Sequence, residues 1–535
     1  MPLLHRSGIQ PVRKEIRMKH AKKLFSATII FFICLWSASA EQREIIFPID
    51  GEISSAYTPV AFTADGRLGF AIAFGKEPAS PKLFSFSVSE GKVIDTFDLA
   101  PDFGVIQGTA APLTTLRLVN QTSTLTVWGV DSNNIQKIAN LSFNKDGQMR
   151  KLWLKVFPPD PFLENFEAQV AFNLDASRIY YLHYDVDGLQ NLALLDSTTG
   201  EALSRLNLPG NDSGLSVLFN KVRNQAIALS GNYLYAIKPD EDRLEIDFAI
   251  QPSLNLVGGG GQFISHNGRF LVTYGGFSLD NPPNTKTYYA SYDLESKSAQ
   301  EFFVAGKFAA LSQNLTAHKN SDSLFVPLQV RVKNTEKVFK LISSGSRLTD
   351  IITLSANGAL SRTSTIEIPE QSADDSSLNL IYFVNNIVIS KSGVMGFVAA
   401  GNGRIFTFDT LTGEIVNDQK VANRLFYISL IESQGLIACT NGSNKLILAD
   451  VSTTPIISSI QVKKKQTIIK GANFLSGAKL KINGVDIGIA NRNPEKPGNE
   501  ITLERGKKDF PAEQEFTFII TNRDDKESKP FTYKR

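Results

Sequence analysis

Residues Phe172–Pro209 read FNLDASRIYYLHYDVDGLQNLALLDSTTGEALSRLNLP, and their grammar decides the fold. An apolar run ends at the polar turn Asp175-Ala176, and an alternating run rich in Ile, Tyr and Leu follows. A polar hairpin tip, Asp185-Val186-Asp187-Gly188, leads into a second apolar run that stops at Asp196. Thr199-Gly200 then turns the chain into a fourth, half-polar run. Short runs with period-two alternation, bounded by Gly, Asp and Ser, are strands. Four in succession make one antiparallel sheet whose two apolar faces it cannot bury alone.

The same grammar returns at Phe62–Ala100 (FTADGRLGFAIAFGKEPASPKLFSFSVSEGKVIDTFDLA) and at Ile389–Val421 (ISKSGVMGFVAAGNGRIFTFDTLTGEIVNDQKV). Asp65-Gly66, Asp175-Ala176 and Ser392-Gly393 hold the first turn, and Ser89-Glu90-Gly91, Thr199-Gly200 and Thr412-Gly413 the last. Looser copies lie at Val105–Phe143, Leu215–Ile250, Gln262–Val304, Ala310–Ile368 and Leu425–Val451. Sheets repeated in this way bury their faces by stacking radially, which makes a β-propeller. Eight units predict eight blades, and the irregular stretches 105–165 and 310–370 leave seven as the alternative count. The last unit supplies three strands, so the isolated run Glu44–Asp50 is expected to add the fourth and close the ring. Apolar stripes at helical spacing are nearly absent, and 36 Phe and 13 Tyr suit an all-β chain.

The blade grammar in LALLDSTTGEALSRLNLP and IFTFDTLTGEIVNDQ resembles the bacterial YVTN/lactonase-like propellers over residues 44–453. That resemblance implies a propeller, and it brings with it enzymes that work at the central channel with carboxylates, histidines or a metal.

At Thr454-Pro455 a different pattern begins. Pro455, the turn Ile469-Lys470-Gly471-Ala472-Asn473-Phe474, the hairpin signal Ile482-Asn483-Gly484 and the closing Asn522, Ser528 and Phe531 resemble an IPT/TIG domain. The resemblance implies a small immunoglobulin-like β-sandwich over 454–535, serving as spacer or binding module. The residues agree on their own terms. Asn-Gly between two apolar runs is a two-residue hairpin. Gly471 and Asn473 suit a tight turn, Phe474 is expected in the core, and Phe516–Thr521 alternates like a core strand.

The N-terminus carries an address. Arg13, Lys14, Arg17, Lys19, Lys22 and Lys23 precede the apolar run Leu24–Trp36, and Ala38-Ser39-Ala40 ends it. This is the layout of a signal peptide cleaved after Ala40, with Met18 as an alternative start. A single-span anchor is the alternative reading, but the apolar run is shorter than the roughly 20 residues a span needs, so no integral membrane segment is expected after cleavage. The expected domains are therefore 1–40, 41–453 and 454–535, in a chain that is exported to the periplasm, the cell surface or the medium. Removal of the leader takes seven Lys/Arg and one Glu, leaving 49 basic against 52 acidic residues. That balance gives no electrostatic footprint for nucleic acid. Residues from Thr454 onward carry +6 and residues 41–453 carry −9. Scattered solvated charge is the expected reading, and attraction between the two domains, or a tail that faces an anionic surface, are the alternatives. Cys34 leaves with the leader, and Cys439 sits in an apolar run as an expected core thiol.

No constellation demands catalysis. His183, His266 and His318 fall in three different units with no metal-ligand spacing, and His266 occupies a turn position. Asp185-Val186-Asp187-Gly188 lacks the distal Glu of a calcium loop, so it is read as a hairpin tip. Gly258–Gly261 precedes a strand and not a helix, so it is not a phosphate cradle. No catalytic, cofactor or metal residue is assigned. The expectation is a non-catalytic binding protein that presents the propeller to a protein or carbohydrate ligand. The alternatives are a lactonase-like hydrolase or lyase, and a structural envelope protein held through its basic C-terminal domain.

Overall fold

A computed structural model of the chain describes residues 42–535, apart from 54–59, 77–79, 105–114, 132, 160–169, 210–214, 231–232, 239–241, 252–261, 279–285, 306–327, 333–334, 342–347, 368–383, 401–402, 424, 426 and 453. The expected signal sequence, His318 and Gly258–Gly261 lie outside the described residues. Residues 43–535 form one compact unit.

The protein is all-β, and its larger part is a propeller of eight sheets. Blade 3 shows the plan, with strands a to d at Val170–Phe172, Arg178–Tyr184, Gln190–Asp196 and Ala202–Asn207 joined in sequence order. Blades 2, 4, 5, 6 and 7, whose strands fall within Thr115–Pro159, Leu215–Ile250, Gln262–Ala305, Leu328–Glu367 and Val384–Lys420, repeat that order. In blade 1 strand a is split into Gly51–Ile53 and Val60–Phe62, both paired to Leu68–Gly75. First strands touch between blades 1 and 2, 3 and 4, 4 and 5, 6 and 7, 7 and 8, and 8 and 1, so strand a is innermost and strand d outermost.

The ring closes as expected, through chain ends far apart in sequence. Gln42–Ile46 is the outermost strand of blade 8, beside Lys445–Asp450, Leu436–Thr440 and Tyr427–Ile431. It begins two residues earlier than Glu44, and the Phe47 N–H continues the contact to Asn444 O at 2.9 Å.

Burial follows strand position. Strands b and c are covered on both faces, and Leu68–Gly75, Gln225–Ser230 and Met395–Ala400 are buried almost without break. Strand d shows one face to solvent, so burial alternates along Lys92–Asp98. Within the ring, the apolar clusters among the described residues each bridge two neighbouring blades. Trp128, Ile138 and Trp153 of blade 2 pack with Ile179, Tyr181 and Leu195 of blade 3. Polar groups also tie blades together, as when Trp153 Nε1 and Asn140 Nδ2 both donate to Ser197 O. Gly200, at φ +72°, lies where a Cβ would stand 2.5 Å from the Trp153 ring, so this turn requires glycine.

One unit boundary needs correction. The second blade comprises Thr115–Val119, Thr124–Val130, Ile135–Phe143 and Met149–Pro159, not Val105–Phe143. A bulge between Lys151 and Trp153 breaks the alternation of Met149–Pro159, so its period does not announce a strand.

After Ser452 the chain builds a two-sheet sandwich. One sheet holds Ile456–Val462, Thr467–Ala472 and Glu500–Leu503; the other holds Lys479–Ile482, Val485–Ile489, Glu515–Thr521 and Phe531–Lys534. Phe474, Leu480, Ile501 and Phe518 fill its core. Asn483 and Gly484 adopt φ of 51° and 79°, the left-handed pair of a tight hairpin.

Candidate functional site

Each blade runs strand a toward one face of the ring, where the a–b and c–d turns collect. The a–b turns of blades 1, 3, 5 and 7 share one construction. The side-chain oxygens of Thr63, Asn173, Ser265 and Ser390 accept the N–H five residues later, at 3.1, 2.9, 2.8 and 3.3 Å. Gly66, Ala176, Gly268 and Gly393 hold the left-handed position of the same turns. Neighbouring turns are stapled together: Lys391 N donates to Glu432, Gln434 Nε2 to Asp65 O, Ala64 N to Asn120, and Asn220 Nδ2 to Gly268 O. The result is a fixed rim around the channel mouth.

Two concavities lined by described residues open on this rim. The larger, about 400 Å³, spans blades 2 to 5 and is lined by Phe172, Leu174 and Phe219, with Arg117, Gln121 and Lys221 among its polar groups. No carboxylate is among its lining residues. Arg117 Nη1 donates to Val170 O at 2.8 Å, and its guanidinium lies 5.7 Å from the Phe172 ring centroid. Lys221 makes no ion pair among the described residues, and Leu174 is 58% exposed. The smaller concavity, about 280 Å³, is bounded by Phe62, Lys391 and Glu432 of blades 1, 7 and 8. Sequence reasoning missed Leu174 and Lys221. The repeat held the signal, because Ala64, Gln121, Leu174, Lys221, His266 and Lys391 occupy the second position of the a–b turns of blades 1, 2, 3, 4, 5 and 7.

The sandwich sits on this same face, over blade 7. Asp409, at the end of strand c and fully buried, pairs with Arg523, whose side chain is 4% exposed. Oδ1 accepts Arg523 Nη2 at 2.6 Å and Leu411 N at 2.8 Å; Oδ2 accepts Arg523 Nη1 at 2.8 Å and Ser476 N at 2.7 Å. Arg492 pairs with Glu414 at 2.8 Å, and Lys526 with Glu432 at 3.4 Å. Ser392 Oγ donates to Asp524 Oδ2 at 3.1 Å. Leu475 of the sandwich joins the core formed by Val394, Val416 and Val421. At the link, Asn473 Nδ2 donates to Ser452 O and Thr454 O. The expectation of scattered, solvated charge therefore fails for Arg492, Arg523 and Lys526, which meet propeller carboxylates. The alternative, attraction between the oppositely charged parts, describes them.

The remaining candidates do not converge. His183 ends strand b of blade 3 on the b–c side, whereas His266 is exposed on the a–b rim of blade 5. His183 is buried between Phe157 and Tyr181, and its Nδ1–H donates to Tyr184 O at 2.9 Å. Burial pushes its pKa down to about 4. Asp185 Oδ1 accepts the N–H groups of Asp187 and Leu189, which makes the 185–189 segment a self-satisfied hairpin tip. Cys439 is buried in the blade 7–8 core, and burial pushes its thiol far up. Among the described residues no group of three His, Cys, Asp or Glu side chains is placed to hold a metal.

No family model and no curated protein matches the chain. Solved structures do. The chain is similar to the Dos1 propeller at 9% identity, over 77% of this chain and 95% of that one, with a TM-score of 0.49. It is similar to the C-terminal WD40 domain of Sif2 at 13%, over 77% and 99%, with a TM-score of 0.46. The computationally designed Ika8 protein is 10% identical over 76% and 100%, with a TM-score of 0.45. Likeness at this level concerns fold alone, and the blade count rests on the strand order.

Proposed function

We propose that the chain is an exported, non-catalytic binding protein whose a–b rim receives a ligand, with the C-terminal sandwich held rigidly beside the mouth. The observation that carries this is the 400 Å³ concavity, which sets the apolar side chains of Phe172, Leu174 and Phe219 beside two cations, Arg117 and Lys221. A site of that size suits a small molecule or a side chain of a partner. Its lining selects an apolar group carrying negative charge. The YVTN/lactonase-like and IPT/TIG resemblances belong to this reading. They support a propeller for recognition and an immunoglobulin-like module for presentation, and the N-terminal leader pattern supports export.

The test uses the full chain and 4-phenylbutyrate as probe, followed by titration calorimetry. Binding is expected, and Lys221→Glu weakens it about tenfold, which is about 1.4 kcal/mol. Leu174→Asp weakens it further while leaving the melting temperature unchanged. A lactonase-like hydrolase is the competing reading. Turnover of lactones or glycans by the purified chain, abolished by these same substitutions, would replace the binding reading with it.

A further inference from the structure

Two groups among the sandwich cations have different fates. Arg492, Arg523 and Lys526 are spent at the propeller. At the opposite end, six others collect on two loops: Lys463, Lys464, Lys465, Arg505, Lys507 and Lys508. All six are exposed, and none makes an ion pair among the described residues.

These loops form one surface. Lys507 N donates to Lys463 O at 3.0 Å, and Thr467 Oγ1 donates to Arg505 O at 2.7 Å. Gly506 approaches so closely that a Cβ there would stand 2.3 Å from Lys464 O. The backbone thus holds Lys464 and Lys465 beside Lys507 and Lys508. Glu504 and Asp509 are the carboxylates on the same loops, and the Asp509 carboxylate accepts the Gly506 N–H. The strand Thr467–Ala472 separates this end from the propeller by about 20 Å. At ordinary salt that exceeds the Debye length of about 10 Å, so the acidic propeller does not neutralise it.

The geometry points to a second binding surface: the distal end of the sandwich engages a linear anionic polymer, a chain of repeated phosphate or carboxylate groups of the kind an envelope presents. Side chains on flexible stems suit such a partner, because they follow spaced charges without needing a shaped pocket. The docked sandwich then fixes the channel mouth at a set distance from that polymer. This surface is independent of what the mouth itself binds.

The experiment measures binding of the full chain to polyphosphate and to polygalacturonate at low and moderate salt, with neutral dextran as control. Both anionic polymers are expected to bind, and raising the salt from ~50 to ~200 mM weakens binding at least tenfold. A preference between them says whether phosphate or carboxylate is the natural group. Lys464→Glu/Lys465→Glu/Lys507→Glu abolishes binding with an unchanged melting curve. Should that variant misfold, Lys464→Gln/Lys465→Gln serves, with a smaller loss. Leu174→Asp at the mouth leaves polymer binding intact, so failure of one reading is separable from failure of the other. Equal binding to dextran, insensitivity to these substitutions, or preference for duplex DNA or anionic vesicles over both polymers would overturn the inference.

Discussion

Replacing Arg523 by Met tests whether the two parts of the molecule are one body. The Asp409 carboxylate receives four N–H groups, two of them from Arg523, in a site with no solvent exposure. Removing the guanidinium leaves a buried anion with the two backbone donors of Leu411 and Ser476. Loss of one partner from a buried pair costs about 3–5 kcal/mol, and replacing both by neutral groups costs much less. The double variant Asp409→Asn/Arg523→Met is therefore expected to recover about half of the loss or more, a coupling of about 2 kcal/mol. The assay is urea unfolding read by two signals. Of the three tryptophans, Trp36 belongs to the leader pattern, Trp128 and Trp153 lie in blade 2 and none lies in the sandwich, so in a chain that starts at Glu41 indole fluorescence reports the propeller. Far-ultraviolet circular dichroism reports all strands. The wild-type transitions are expected to coincide, and in Arg523→Met the circular dichroism transition is expected to split, because the sandwich no longer unfolds with the ring. A variant whose two signals still coincide, with a loss below about 1 kcal/mol, would refute the reasoning.

His183 predicts a pH dependence. Its folded pKa near 4 lies below the ordinary 6.5, chiefly through burial, so the unfolded chain binds the proton first. Stability is full above pH 6.5 and falls by about 3 kcal/mol as the pH drops toward 4. In His183→Phe, which keeps the ring between Phe157 and Tyr181, that slope is expected to disappear from pH-dependent urea midpoints. A second acidic window belongs to Asp65, held near 2 by hydrogen bonds from Thr63 and Arg67 and by the Arg67 charge. Its contribution is present above 3.8 and is lost as the pH falls through about 2, so Asp65→Asn should flatten the acid limb below pH 4 only. Gly200→Ala sets a Cβ against Trp153 at φ +72°, and a destabilisation of about 2 kcal/mol or more, with a shifted indole emission, is expected.

The blades that the sequence reveals best are those whose turns carry the most chemistry. In blades 1, 3 and 7 the residue pairs at Asp65, Asp175 and Ser392 mark real a–b turns, because each must place a left-handed residue at one position. Blade 2 was misplaced because the bulge at Lys151 and Trp153 slips the alternation of its outer strand. The interface was hidden for a different reason. Asp409 ends strand c and bonds the Leu411 N–H, so in sequence it looks like an ordinary turn aspartate, as Asp196 does in blade 3. Its partner lies 114 residues away, and only the opposite net charges of the two parts hinted at it. The mouth was legible in principle, since Leu174 and Lys221 share a repeat position, but a repeat position reveals no direction until the ring is closed.

Hydrogen–deuterium exchange of the full chain, with and without saturating 4-phenylbutyrate, tests most directly the claim that the a–b rim is the binding face. The expected protection is confined to Val119–Gln121, Phe172–Ala176 and Phe219–Lys221. Protection at the opposite hairpin 185–189, or no change anywhere at saturation, would contradict the account.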